Sequence, residues 1–365
     1  MTSIAPRVSA YAHDGARIAF IALGFSIPIS VAVDSVLCGA IVLAWLLTAQ
    51  FRQTVETVRT NPVAAFACVW FLAHVLGAIY SIGDAREIQR TVSKAAMFLL
   101  IPIGVTLMKK PADRDRALYA FMAAIALTTV LSCLRGAGVI PADAPLLKGA
   151  VFSAAVVFKY HLTQNLLLAL GAFVFAVYAD RVKNRRARIL LALFSTLAAL
   201  DVLVIGDGRT GQVVLILLML YYGAWLGRRG LAIALCAGLF IGAAAYVLPD
   251  TAMHKRAALA MTEAEKWEPG VAAGKPSSIG DRLEFYNRSI HIVSTHPLIG
   301  VGSGGFVAAY ENEVRGTDLT PTHNPHNEYL LRAVELGIPG LVLLVALFWI
   351  TWRTAGRLSD SAHSA

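Results

Sequence analysis

The chain has 365 residues, of which 57% are hydrophobic and only 15% charged, and its mean hydropathy is +0.63. A soluble protein of this length would carry about a quarter charged residues, so a water-soluble globular enzyme is excluded. Continuous apolar runs of roughly 16–20 residues likewise exclude a membrane β-barrel, whose strands alternate over about ten.

Taken in chain order, the apolar runs predict membrane spans near 18–33, 35–50, 62–81, 92–108, 117–134, 161–179, 188–206, 211–226, 230–248 and 337–353. The expected fold is all-α: a polytopic helical bundle of about ten spans. Residues 1–249 form the bundle, 250–326 a long loop domain, and 327–365 a motif helix, a last span and a tail. Cys38, Cys68, Cys133 and Cys236 lie in or beside apolar runs without paired spacing, so they read as packing residues and not as a disulfide or zinc framework. The first run lacks a signal-peptide pattern and is expected to be retained.

The connectors set the orientation. Arg52 and Arg59, then Lys109, Lys110, Arg114 and Arg116, then Arg181, Lys183, Arg185, Arg186 and Arg188, then Arg228 and Arg229, and finally Arg353 and Arg357 all fall on one side of the bundle. The positive-inside rule makes that side cytoplasmic, with both termini there. The net charge of +9 has a second source in basic residues on the outer side, where an anion site is one explanation.

Arg209 is one of these, in the turn Gly206-Asp207-Gly208-Arg209-Thr210-Gly211. Glycines allow close backbone approach and a helix N-terminus follows, which suits a phosphate or diphosphate. The plainer alternative is neutralisation by Asp207. Arg86, Arg90 and Lys94 recur at every fourth residue and so share one helix face, as a substrate-binding or lipid-headgroup stripe. Arg282 and Arg288 flank Leu283-Glu284-Phe285-Tyr286-Asn287. The glycine cluster of His296-Pro297-Leu298-Ile299-Gly300-Val301-Gly302-Ser303-Gly304-Gly305 predicts a compact turn or a backbone nest near an anion. His291 and His296 read as structural.

His323-Asn324-Pro325-His326-Asn327 opens the last helix. Pro325 bars helix before it, and Asn327 is the expected N-cap. Glu328, Arg332 and Glu335 form a charged ridge, with Leu330, Leu331 and Val334 opposite. Gly337 is expected to stop the helix and Pro339 to prevent its resumption. A histidine at a positive helix end tends toward its neutral form, which can take a proton from a sugar hydroxyl. Metal binding is the other use of such histidines, but the carboxylate-plus-histidine spacings for it are missing. Asp113-Arg114-Asp115 reads as a loop accident and not a nucleotide-sugar metal site.

His326-Asn327, nine residues, then Gly337-Ile338-Pro339-Gly340 matches the pattern H-[NSQ]-x9-G-x-x-[GTY] and so resembles the bacterial O-antigen ligase family. The 296–302 segment and the Gly208-Arg209-Thr210-Gly211 turn are similar to that superfamily, which includes O-antigen polymerases and protein glycan ligases. The resemblance implies a GT-C-like inner-membrane glycosyltransferase with a large periplasmic loop and about twelve spans, with two more after the motif helix where one is seen here. It implies transfer of O-antigen from undecaprenyl diphosphate to lipid A-core in lipopolysaccharide biosynthesis, with no cofactor, metal or nucleoside triphosphate. His326, Arg209 and Arg282 fall on functional positions; Arg86, Arg90, Lys94, Arg288, His323 and Asn327 are expected to bind substrate. The expected partners are the lipid-linked glycan, lipid A-core and membrane lipids, with no nucleic acid. An inverting displacement is expected, because no carboxylate pair is placed for a double one. A polymerase, a protein ligase and, less favoured, a transporter of an anionic lipid or solute are the alternatives; no internal repeat supports the transporter.

Overall fold

The computed structural model describes residues 4–141, 156–206, 209–247, 261–263, 265, 267–270 and 279–363. Asp207-Gly208, Met253-His254-Lys255-Arg256 and most of the Gly/Pro/Ser stretch near 269–280 lie outside them. Among the described residues there is no strand. Seven helical segments of the described residues are long and apolar enough to cross a membrane: Val31–Thr48, Pro62–Ile79, Ala85–Leu107, Pro111–Gly136, His161–Arg181, Arg185–Ile205 and Glu328–Arg357. The protein is an all-α, multi-pass membrane protein.

In chain order the helices are α1 (Ile4–Ser26), α2 (Val31–Thr48), α3 (Phe51–Thr60), α4 (Pro62–Ile79), α5 (Ala85–Ala96), α6 (Leu100–Leu107), α7 (Pro111–Gly136), α8 (His161–Arg181), α9 (Arg185–Leu200), α10 (Arg209–Trp225), α11 (Arg228–Val247), α12 (Gly280–Thr295), α13 (Phe306–Val314) and α14 (Glu328–His363). A 3-10 turn, Met97–Leu99, joins α5 to α6, so the two make one continuous span. The expected span at 18–33 is cut differently. Its residues are mostly apolar, but Pro28 lies in a turn, α1 ends at Ser26, and the Ser30 hydroxyl caps α2 by accepting from the Val33 N–H at 3.4 Å.

The described residues form two compact units. The first holds 1–49 and 107–247. In it α1 packs on α2 and α7, and α8 packs on α9 and α10. Its core is Met122, Ile125, Leu168, Ala169, Ala172, Phe175, Ala198, Val202 and Leu215. Asp113 is no loop accident: both its oxygens bind Arg17 at 2.8 Å and so staple α1 to α7. Lys159 is likewise internal, paired with Asp34 at 2.9 Å.

The second unit holds 50–106 and 248–365, including α4, α5 and α12 to α14. Ile292, Val301, Phe306, Tyr310, Leu331 and Val334 build one core and Trp70, Ala95 and Leu344 another. The His326 region belongs to this unit.

Candidate active site

The chain reaches the last helix through two Asn-based turns. The Asn324 side-chain oxygen accepts the His326 N–H at 2.7 Å, which bends the chain sharply before the helix. His326 itself sits at φ 57°, a left-handed conformation that costs a non-glycine residue about 1–2 kcal/mol. Strain of this kind clusters at functional sites. The Asn327 side-chain oxygen then accepts from the N–H groups of Tyr329 (3.0 Å) and Leu330 (3.2 Å), making it the N-cap of α14. That oxygen is therefore occupied, and only the amide NH2 of Asn327 remains for a substrate.

The imidazole of His326 lies against Phe285 of α12, ring centres 6.1 Å apart, and Phe285 in turn meets Tyr310 edge-on at 5.8 Å. Partial burial, and then the nearby Arg282 guanidinium, hold the His326 pKa below its ordinary value. Arg282 and His326 are thus brought together within one unit, as their motifs suggested. A neutral imidazole near a guanidinium provides a proton acceptor next to an anion-stabilising group.

The motif helix is interrupted nine residues in. Gly337 takes φ 69° and ψ −167°, so α14 is two helical segments joined at a kink. An added Cβ there would stand 2.7 Å from the Leu298 carbonyl carbon. The expectation that Pro339 prevents resumption is overturned: α14 runs on to His363. Pro339 falls in the first turn after the kink, where a missing N–H costs nothing. The break instead releases two carbonyls. Ile338 donates its N–H to Pro297 O (2.8 Å), and Pro339 has none to give. Val334 O and Glu335 O accept from Val301 N–H (2.9 Å) and Gly302 N–H (2.8 Å) instead. The 296–302 and 337–340 segments are therefore two halves of one main-chain joint.

This joint overturns the anion-nest expectation for the glycine cluster. Its N–H groups are consumed in succession: Gly300 to His296 O, Val301 to Val334 O, Gly302 to Glu335 O, Ser303 to Gly77 O, Gly304 to a Glu335 carboxylate oxygen (2.9 Å) and Gly305 to Gly302 O. The loop is buried from Gly300 to Phe306. Its internal anion is Glu335, and its glycines serve close packing. A Cβ on Gly302 (φ 90°) would lie 2.2 Å from Ser81 Cα.

The charged ridge of the sequence is also not what it seemed. Arg332 and Glu335 are only 9% and 2% exposed. The Arg332 fork binds Glu328 through Nε (3.2 Å) and Nη2 (3.0 Å), and Glu335 (2.8 Å) and the Nε2 of His74 (2.9 Å) through Nη1. It also lies 5.9 Å above the Trp70 ring. Glu328, at 63%, is the one exposed member. His74 went unremarked in the sequence because it sits mid-span, 258 residues from its partner; an ionisable residue inside an apolar run was the signal that marks it. Tyr80 was missed in the same way. Its hydroxyl, at the end of α4, donates to Ile299 O at 2.7 Å.

The remaining candidates are spread out. Arg86, Arg90 and Lys94 are all exposed along α5, and Arg90 leans on Glu87 at 3.4 Å. Arg288 is engaged by Glu284 at 2.8 Å, which also accepts from Gly270 N–H. His323 is exposed in the loop before Asn324. His291 pairs with Glu313 at 2.9 Å, which ties α12 to α13 and fits its structural reading. Arg209 opens α10 in the other unit, and its side chain is outside the described set. Gly206 and Gly211 on either side of it lie against Asn165: a Cβ on either would come within 2.3 Å or 2.6 Å of that residue. Among the described residues no group of three His, Cys, Asp or Glu is placed to hold a metal ion.

Residues 194–345 match the family described as O-antigen ligase. The stretch takes in the Gly206–Gly211 turn, α12, the glycine loop, His326 and the kink of α14. No curated protein matches the chain.

Proposed function

We propose, for a chain whose residues 194–345 match the O-antigen ligase family, that it is a metal- and cofactor-independent glycosyltransferase joining O-antigen polysaccharide from undecaprenyl diphosphate to lipid A-core. The observation that carries this reading is the neutral-leaning His326 imidazole, set on Phe285 and beside Arg282 at the entrance of a membrane span.

In the proposed reaction an acceptor hydroxyl oxygen attacks the anomeric carbon and its proton passes to His326. The bond from that carbon to the diphosphate oxygen breaks, and undecaprenyl diphosphate leaves with the electron pair. One displacement inverts the anomeric centre. Negative charge grows on the leaving group, and the exposed Arg282 guanidinium near His326 is the group that would stabilise it. Arg209 is a second candidate for the diphosphate because its glycine turn and helix start suit that anion. Arg86, Arg90 and Lys94 form an exposed cationic face suited to a lipid diphosphate or to headgroups. The basic connectors favour cytoplasmic termini in the bacterial inner membrane and a periplasmic site.

The test is transfer from purified undecaprenyl diphosphate–glycan to purified lipid A-core in the presence of a chelator, wild type against His326→Ala. Product that survives the chelator and is lost in the variant supports the ligase. Product formed only when a second lipid-linked glycan or a protein replaces lipid A-core moves the assignment to polymerase or protein ligase. Undiminished transfer by His326→Ala removes the catalytic histidine.

A further inference from the structure

We propose that His74 is a positioning residue: it fixes the rotation of α14 against α4 and thereby holds His326 in register with Arg282. The inference deepens the reading above and rests on it for the chemistry, though not for its own test.

Hydrogen bonding sets the chemical form of His74. Its Nδ1 lies 2.9 Å from Trp70 O, a pure acceptor, so Nδ1 carries the proton. Nε2 is then a lone pair, and Arg332 Nη1–H donates to it at 2.9 Å. An imidazolium could not accept this bond, so the ring acts here as a neutral acceptor. His74 is 1% exposed, and its orientation is fixed again by Trp70, whose ring centre is 4.7 Å away.

Two independent links meet at this residue. The ring holds Arg332, which grips Glu328 in the first turn of α14 and Glu335 one turn later. The main-chain oxygen accepts from Ser303 Oγ at 2.8 Å, inside the glycine loop. That loop follows α12, which bears Arg282, and it binds the α14 kink through Val334 O and Glu335 O. Beside the direct packing of α12 on α14 through Ile292, Leu331 and Val334, His74 therefore touches two routes by which the two helices are set relative to each other. The guanidinium adds direction. Glu328 and Glu335 hold the guanidinium from α14 itself, and Nη1 reaches across to His74, so α14 cannot roll against α4 without breaking the bond to this buried ring. His326, two residues before α14, turns with it.

Stability alone is the simpler account of such a network, and the two accounts differ in what His326 feels. The charged group acting on His326 is Arg282 from α12; those acting on His74 are Arg332 and Glu328 from α14, with Glu335 bound to the same guanidinium. If His74 sets register, losing its acceptor lets His326 relax away from Arg282 and Phe285. If it only adds stability, folded protein keeps a wild-type His326.

The experiment reads the pH dependence of diethyl pyrocarbonate modification of His326, site-resolved by mass spectrometry on full-length detergent-purified protein. Wild type, His74→Gln, His74→Phe and the milder His74→Asn are compared. Gln keeps an acceptor within reach of Arg332; Phe has none, and Asn is too short. The expected result is a shared profile for wild type and His74→Gln, and a move to higher pH, toward the ordinary histidine range near ~6.5, in Phe and Asn. On the same samples the transfer kcat is expected to fall about tenfold or more in Phe and Asn with donor KM little changed, and to recover in Gln. A monodisperse Phe or Asn variant with the wild-type profile overturns the proposal. If Phe does not fold, Asn decides. Should wild type transfer no glycan at all, the enzyme assignment fails while the modification profile still decides the role of His74.

Discussion

The carbonyl oxygen of Val334 takes its hydrogen bond from the Val301 amide, at 2.9 Å, and not from Ile338 one turn ahead. A helix carbonyl becomes available to another segment only where the helical ladder is broken. Gly337 breaks it by geometry and Pro339 by lacking an N–H, so the glycine loop gains two acceptors that an uninterrupted helix would keep for itself. The motif C-terminal to His326 is, on this geometry, a docking device for the loop that follows the arginine-bearing helix.

Gly302→Ala is expected to abolish that docking. The new methyl would lie 2.2 Å from Ser81 Cα in a backbone already at φ 90°. A cost on the order of 3–5 kcal/mol follows from backbone strain and overpacking together. Gly316, at φ 79° with nothing within 4 Å, provides the control: its Ala variant should lose only about 1 kcal/mol. Thermal denaturation of the two purified variants checks this, and equal losses would mean that the loop is not held where the structure places it.

Pro339→Ala restores an N–H to compete for Glu335 O. The Gly302 amide, which now owns that carbonyl at 2.8 Å, should exchange with deuterium about tenfold faster, equivalent to about 1.4 kcal/mol of local opening. The rest of α14 should keep its protection. Unchanged exchange at Gly302 would show that the proline is a bystander.

These details explain what was legible in sequence. Apart from the 18–33 run, which a turn at 27–29 divides, helices occupy the positions expected from the apolar runs, because bilayer length and backbone satisfaction favour one solution for such runs. Asn327 as N-cap and Gly337 as a break were legible for the same local reason: side-chain chemistry and φ preference act within four residues. The fate of Arg332 and Glu335 was not. Spacing of three and four puts them on one face with Glu328 but does not say whether water or His74 covers that face. Nor could the glycine cluster be told from an anion nest, since carbonyls that take its N–H groups lie on α4 and just before the α14 kink.

Arg282→Gln should change the pH response of His326 in a defined direction. Burial and the Arg282 charge both lower its pKa. Removing the charge leaves burial alone, so the pKa rises toward the ordinary value. A base works only when unprotonated, so the acid limb of any His326-dependent rate moves to higher pH, and at pH near that limb the variant is slower than its alkaline rate implies. The folded state also binds protons less readily than the unfolded chain at this site, so it loses stability as pH falls from the ordinary histidine pKa through the lowered one; the variant should lose less over that window. Rate–pH profiles and acid-side melting of both proteins test the two signs, and a limb displaced to lower pH would refute the proximity of Arg282.

The Arg332–Glu335 pair should behave as a buried pair does. Arg332→Met leaves a carboxylate that is 2% exposed with Gly304 N–H as its remaining hydrogen-bond donor among the contacts described above, a loss of about 3–5 kcal/mol. Glu335→Gln alone strands the cation less severely, because Glu328 and His74 still bind the guanidinium. The double variant removes both charges, so it should be more stable than Arg332→Met, with a coupling of about 1–3 kcal/mol in a double-mutant cycle. Additive losses would mean that water reaches the pair. The face of α14 opposite His74 would then be a solvated ridge after all, and the register of His326 would have to come from the kink alone.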